Sequence, residues 1–165
     1  MKLHFSLEEL VETHEKPGLF VLLDGITDTR NMGAIIRSAA AANATAVVIP
    51  TTGSAQITGE TIKTSAGGLF QVPICRVSHL KDALYLLQSY DIQSIVADEK
   101  AAQNLFEFDL TNTVAIVMGA EDKGFHKELG NFVHRLQNSQ SLGIWIHTMC
   151  QWLQGCFSMK QCASD

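Results

Sequence analysis

Three runs of apolar residues constrain this chain more than anything else in it: Leu19-Phe20-Val21-Leu22-Leu23, Ala46-Val47-Val48-Ile49-Pro50 and Val114-Ala115-Ile116-Val117-Met118. Each is too short for a helix, and none alternates with polar residues, so each reads as a strand covered on both faces. Ile92 to Ala97 and Val72 to Val77 supply two more candidate strands. Helical patterns lie between them. Ile35, Ile36 and Ala39 sit on a helix reaching Asn43 that either Asp28 or Asn31 can cap. Leu80, Leu84 and Leu87 share a face of a helix from Leu80 to Tyr90, and Lys123 to Val133 is expected to form another. Ser6-Leu7-Glu8-Glu9 has the form of a capping box for a first helix toward His14, ended by Pro17-Gly18. The Gly/Thr/Ser-rich stretch from Thr51 to Gly68 is expected to hold a short helix. Strands alternating with helices define an α/β fold, a mostly parallel sheet with helices on both faces.

The 165 residues are 46% apolar and 18% charged, enough for one domain with a buried core. No apolar run approaches the roughly 20 residues that span a bilayer, so no membrane segment is expected. The first residues lack an apolar signal core, and a cytoplasmic location is expected. A net charge of −5 argues against a generally basic nucleic-acid binder while leaving room for a local basic patch.

In open parallel sheets, ligands bind beyond the carboxyl ends of the strands. Two polar segments follow strands there: Asp24-Gly25-Ile26-Thr27-Asp28-Thr29-Arg30-Asn31-Met32-Gly33-Ala34-Ile35-Ile36-Arg37, and Met118-Gly119-Ala120-Glu121-Asp122-Lys123-Gly124. Neither is a dinucleotide fingerprint or a phosphate-cradling loop, which disfavours a nicotinamide or ATP enzyme. By themselves, Asp28 and Asn31 fit a turn and a helix cap as well as a site. Arg37, embedded among Ile35, Ile36 and Ala39 to Ala42, either snorkels to solvent or meets an anion.

Together, the two segments carry a resemblance. Asp28 to Ala39 resembles motif 1, and Val117 to Gly124 motif 2, of the SpoU/TrmH class of RNA ribose 2′-O-methyltransferases, in the expected order and separation. His14-Glu15-Lys16-Pro17-Gly18-Leu19-Phe20 and Gly53-Ser54-Ala55-Gln56 bring the chain nearest to the bacterial 23S rRNA guanosine-2′-O-methyltransferases. The resemblance covers about residues 7 to 137. It implies a trefoil-knotted SPOUT-type domain that binds S-adenosylmethionine, acts on RNA and pairs as a homodimer whose partner helps complete the site. No metal is implied. It makes Arg37 the catalytic arginine, with Asn31 and Glu121 shaping the site, and assigns Met118, Gly119, Ala120 and Gly124 to the cofactor. Arg30, Lys63 and Ser65 fall where RNA contacts are expected, a solvated loop being the alternative for the Lys63 to Gly67 segment. Thr29 stands where the family usually has proline. A tRNA 2′-O-methyltransferase and an inactive RNA-binding or dimerising module are the alternative functions.

The organisation expected is an N-terminal helix and linker at 1–18, a catalytic domain at 19–137 and an aberrant tail at 138–165. In the tail, the family's motif 3 has no match, and both tryptophans and three of the four cysteines crowd there. Read in a shifted frame, the Trp145/Ile146, Met149/Cys150 and Met159/Lys160 junctions are forced to give Asp, Val and Glu, the residues motif 3 carries. The tail therefore reads as motif 3 translated out of frame, in the gene or in its sequencing, from about residues 137 to 142. His147, Cys150, Cys156 and Cys162 are four soft ligands without a tight CxxC knuckle, so a zinc site is not expected. The remaining histidines look incidental, and Cys75 reads as a small buried hydrophobe.

Overall fold

A computed structural model of the chain describes residues 5–98, 112–119 and 126–137. In order, these form α1 (Leu7–Thr13), β1 (Leu19–Asp24), α2 (Thr29–Ala41), β2 (Ala46–Pro50), α3 (Gly59–Thr64), β3 (Ile74–Val77), α4 (Leu80–Ser89), β4 (Gln93–Asp98), β5 (Val114–Gly119) and β6 (His134–Gln137). The six strands make one sheet in the order β3-β2-β1-β5-β4-β6, with every neighbouring pair parallel.

Alternate residues of the apolar runs feed two separate cores, as strand geometry requires. Leu19, Val21 and Leu23 of β1, with Val47, Ile49, Ile116 and Met118, pack against Met32, Ile35, Ile36 and Ala39 of α2. Phe20, Leu22, Val48, Ala115 and Val117 face the other way, onto Leu7 and Val11 of α1 and Leu80, Ala83, Leu84 and Leu87 of α4. Phe20, Leu22 and Leu23 are wholly buried, and each such side chain contributes about 1.5–3 kcal/mol. The expected parallel sheet with helices on both faces is the fold observed.

Two local expectations need correction, and one strand goes beyond them. The Ser6 side chain makes no capping hydrogen bond, so the capping box is absent although α1 forms. The expected helix from Lys123 to Val133 is not one: its described part, from His126 onward, holds only a 3-10 turn at Lys127–Leu129, and Val133 leads directly into β6. β6 itself, paired with β4 at the end of the strand order among the described residues, was not expected. The whole of 138–165, the four possible zinc ligands with it, lies outside the described residues, as does any knot made by that segment.

Cys75 of β3 is wholly buried, and burial pushes its thiol up to about 11. The thiolate is the nucleophile, so Cys75 is expected to resist alkylation at neutral pH and to react on unfolding. Peptide-resolved mass spectrometry of iodoacetamide-treated native and denatured protein checks this; prompt native labelling of Cys75 contradicts it.

Candidate active site

The strand order places a switch point between β1 and β5. From β1 the chain crosses through α2 to β2 on one side, and from β5 it proceeds to β6 on the other. Between strands whose connections diverge, the carboxyl ends leave a crevice. Asp24 and Gly119 are register partners at that edge, the last residues of the two strands.

Asp24 is only 4% exposed, an acid closing an otherwise apolar strand. Its Oδ2 accepts the backbone N–H of His126 at 2.6 Å, and its Oδ1 lies 2.7 Å from His126 Nδ1. A carboxylate at neutral pH only accepts, so Nδ1 carries the proton. The His126 side chain is otherwise 73% exposed. Beside this pair opens a cleft of about 440 Å³ whose walls include Gly53, Ser78, His79 and Lys81, beyond the ends of β2 and β3. His126 is therefore not incidental. Nor is His14, whose Nδ1 lies 2.7 Å from the Val11 carbonyl and whose Nε2 lies 3.0 Å from the Thr113 hydroxyl. A second cleft of about 480 Å³, near His14 and Lys16, opens at the amino ends of the strands, away from both motif segments.

The first motif segment builds the turn after β1 and most of α2. Asp28 is the N-cap; its carboxylate accepts the N–H groups of Arg30 at 2.8 Å and Asn31 at 2.9 Å. These bonds, with that from Asn31 foremost, hold the Asp28 carboxyl below its ordinary 3.8. Its contribution to stability is thus present above that value and lost as pH falls through the lower folded one. Asp28→Asn is expected to flatten the acid limb of a stability-against-pH curve in that window; an unchanged limb excludes the role. Thr29 occupies the first helical position, where proline is favoured and its missing N–H is harmless. Here the Thr29 hydroxyl instead donates to Glu60 Oε2 at 3.1 Å.

α2 and the Gly59–Phe70 segment run side by side in the same direction. Arg30 Nε lies 3.7 Å from Glu60 at one end. In the middle, Gly33 faces Thr61 and Thr64 so closely that a Cβ there would overlap the Thr64 hydroxyl. At the far end Gly68 lies against the α2 backbone, its virtual Cβ 3.1 Å from Arg37 Cα. Arg30, Asn31, Arg37 and Lys63 are all exposed along this pair of segments.

Two assigned residues are not on that surface. Ser65 is wholly buried, and its hydroxyl donates to the Ile62 carbonyl at 2.9 Å, so its side chain faces inward. Lys63 belongs to α3 rather than to a solvated loop. The Met118 side chain is 2% exposed in the core beneath α2, which leaves only its backbone for a ligand. Gly119 is at the switch point as required; Ala120, Glu121 and Gly124 lie outside the described residues. Arg37 is eight residues into α2, roughly 12 Å along the axis from its start, so within one copy it is not gathered with Asp24, Gly119 and His126.

The fold and this edge define a parallel α/β domain of the kind found in RNA methyltransferases. AviRb of Streptomyces viridochromogenes, a SpoU methyltransferase, superposes with a TM-score of 0.81 at 20% identity over 94% of this chain and 65% of that one. An AdoMet-bound rRNA methyltransferase from Sinorhizobium meliloti does so with a TM-score of 0.78 at 23% identity, over 92% and 60%. The SpoU rRNA Methylase family model matches residues 18–138, and the chain belongs to that family. Among its relatives, the 23S rRNA (guanosine-2′-O-)-methyltransferase RlmB of Pseudomonas putida is 39% identical over 73% of this chain and 49% of its own length. That of Photorhabdus laumondii is 41% identical over 74% and 50%. The chain thus spans about half the length of these relatives.

Proposed function

We propose that this chain is the catalytic part of an S-adenosylmethionine-dependent RNA ribose 2′-O-methyltransferase acting on a guanosine of 23S rRNA. The observation that carries the reading is the register pairing of Asp24 with Gly119, which puts the start of the turn leading into the first family motif and the Gly119 of the second at one crevice. Gly119 suits the methyl donor because a ligand can lie against backbone that bears no side chain. The donor supplies a methyl group activated on a sulfonium sulfur. Everything else falls to the protein: holding the ribose in line and managing the charge that develops on its 2′-oxygen. Arginine stays protonated far above neutral pH and makes a poor base. Arg37 therefore works by gripping the neighbouring phosphate with its planar fork and stabilising the nascent alkoxide. Asn31 and Glu121 shape the site, and Ala120 and Gly124 extend the donor loop. Exposed Arg30 and Lys63, on adjoining segments, track the RNA backbone.

Because Arg37 lies well down α2, this function calls for a homodimer in which Arg37 of one copy serves the crevice of the other. Light scattering is expected to give twice the 18.0 kDa chain mass. A monomer removes that arrangement.

The deciding experiment is calorimetry with S-adenosylhomocysteine, followed by methyl transfer from labelled donor to 23S rRNA and to tRNA transcripts. Saturable binding with labelling of 23S rRNA is expected, and labelling of tRNA alone moves the substrate to that class. No binding favours an inactive RNA-binding or dimerising module, the reading in which the tail at 138–165 has replaced motif 3. We read that tail as out-of-frame motif 3. Codons incompatible with the alternative frame refute this, and an intact mass matching the printed residues excludes a sequencing error.

A further inference from the structure

We propose that Asp24 is a positioning residue for methyl-donor binding. It fastens His126, just past the second motif, to the tip of β1 beside Gly119, where that motif's loop begins. The inference rests on the function proposed above and adds a residue to it. Three observations combine. Asp24 and Gly119 are paired across β1 and β5, so the point at which the chain leaves the sheet is fixed next to this carboxylate. Both carboxylate oxygens are taken by one residue, His126, through its main chain at 2.6 Å and its ring at 2.7 Å. The ring is mostly exposed and adds little to the core, so its contact with Asp24 is what gives it a structural part.

The consequence is geometric. Gly119 is held beside Asp24 by the β1–β5 ladder and His126 by the Asp24 carboxylate, so the two described residues on either side of the second motif's loop are anchored at the same strand tip. Gly25, at φ +68°, turns the chain away just after Asp24, and the His126 ring comes within 3.7 Å of where a Gly25 side chain would start. An asparagine at 24 can satisfy one of the two donors and turns its own N–H₂ toward the other. Alanine at 126 gives up the ring bond and keeps the main-chain one. The two substitutions therefore grade the clamp.

S-adenosylhomocysteine is titrated into the full chain, its Asp24→Asn and His126→Ala variants and the double variant, with melting temperatures measured on the same samples. Asp24→Asn is expected to weaken binding about tenfold or more, the scale of a hydrogen bond to a charged group, and His126→Ala less. The double variant is expected to match Asp24→Asn within about twofold, because the ring acts through that carboxylate. Unchanged affinity with a lowered melting temperature means a purely structural role and overturns the inference while leaving the proposed function intact. Should Asp24→Asn fail to fold, His126→Ala decides alone, since an exposed ring is removable without disturbing the core: wild-type affinity there overturns the inference. If the unmodified chain does not bind the probe, the proposed function fails first and this inference with it.

Discussion

Arg37→Ala is expected to lower methyl transfer to RNA by about 10²–10³-fold, the cost of removing one donor aimed at developing negative charge. Arg37→Lys is expected to recover little of it. An ammonium restores the charge but not the paired, planar N–H groups that hold a phosphate and a second oxygen together. Calorimetry on the same variants should find S-adenosylhomocysteine affinity within about twofold of the parent, because Arg37 is assigned to the RNA phosphate and the 2′-oxygen and not to the donor. Near-normal turnover by Arg37→Lys rules out the fork, and a collapse of donor affinity in either variant places Arg37 in the donor site instead.

Gly33→Ala carries the largest expected effect on stability. Inside an exposed helix this exchange gains about 1 kcal/mol of helix propensity. Here the new methyl overlaps the Thr64 hydroxyl, and behind it stand Thr64 Cβ at 2.8 Å and the Thr61 carbonyl at 3.0 Å. Overpacking of this kind costs about 1–3 kcal/mol, and because backbone as well as side chain must move, the upper part of that range applies and the net change is a loss. Denaturant midpoints measure it. Gly59→Ala is the control: a Cβ there meets nothing within 4 Å, so the midpoint should hold or rise. Adding Thr64→Ala to Gly33→Ala should recover part of the loss, since it removes the nearest atom and leaves the other two contacts. A midpoint that rises in Gly33→Ala shows that α2 and α3 can separate freely.

The sheet was legible in the sequence because a doubly covered strand leaves a run with no polar interruption, as Leu19 to Leu23 and Val114 to Met118 do. The strand His134–Gln137 has no such run; among the described residues it pairs with β4 at the end of the sheet order, where polar residues are tolerated. The spacing of Leu129, Phe132 and Val133 imitates a helix, yet Gly130 interrupts it and the chain makes only a 3-10 turn. The family motifs single out Arg37, Asn31 and Gly119, of which Gly119 lies at the switch point and the other two are exposed on α2, and the cap at Asp28 was legible through its chemistry. The Asp24–His126 pair was not, since its members are 102 residues apart. The one local signal was an acid closing a strand destined for burial. Ser65 shows the reverse failure: its motif position says nothing of which way a hydroxyl turns, and the turn after α3 points it at the Ile62 carbonyl.

The strand order also bears on how the protein is made. β1 can join β2 and β3 as soon as these emerge from the ribosome, but its other flank waits for β5, and the bond from Gly18 to the Thr113 hydroxyl spans 95 residues. Until then the nascent chain shows one side of its innermost strand, apolar and unpaired, to everything around it. Such an edge invites wrong partners, and long-range parallel pairing is slow to form. A pause in translation between β3 and β5 would thus be the moment of greatest need for a chaperone.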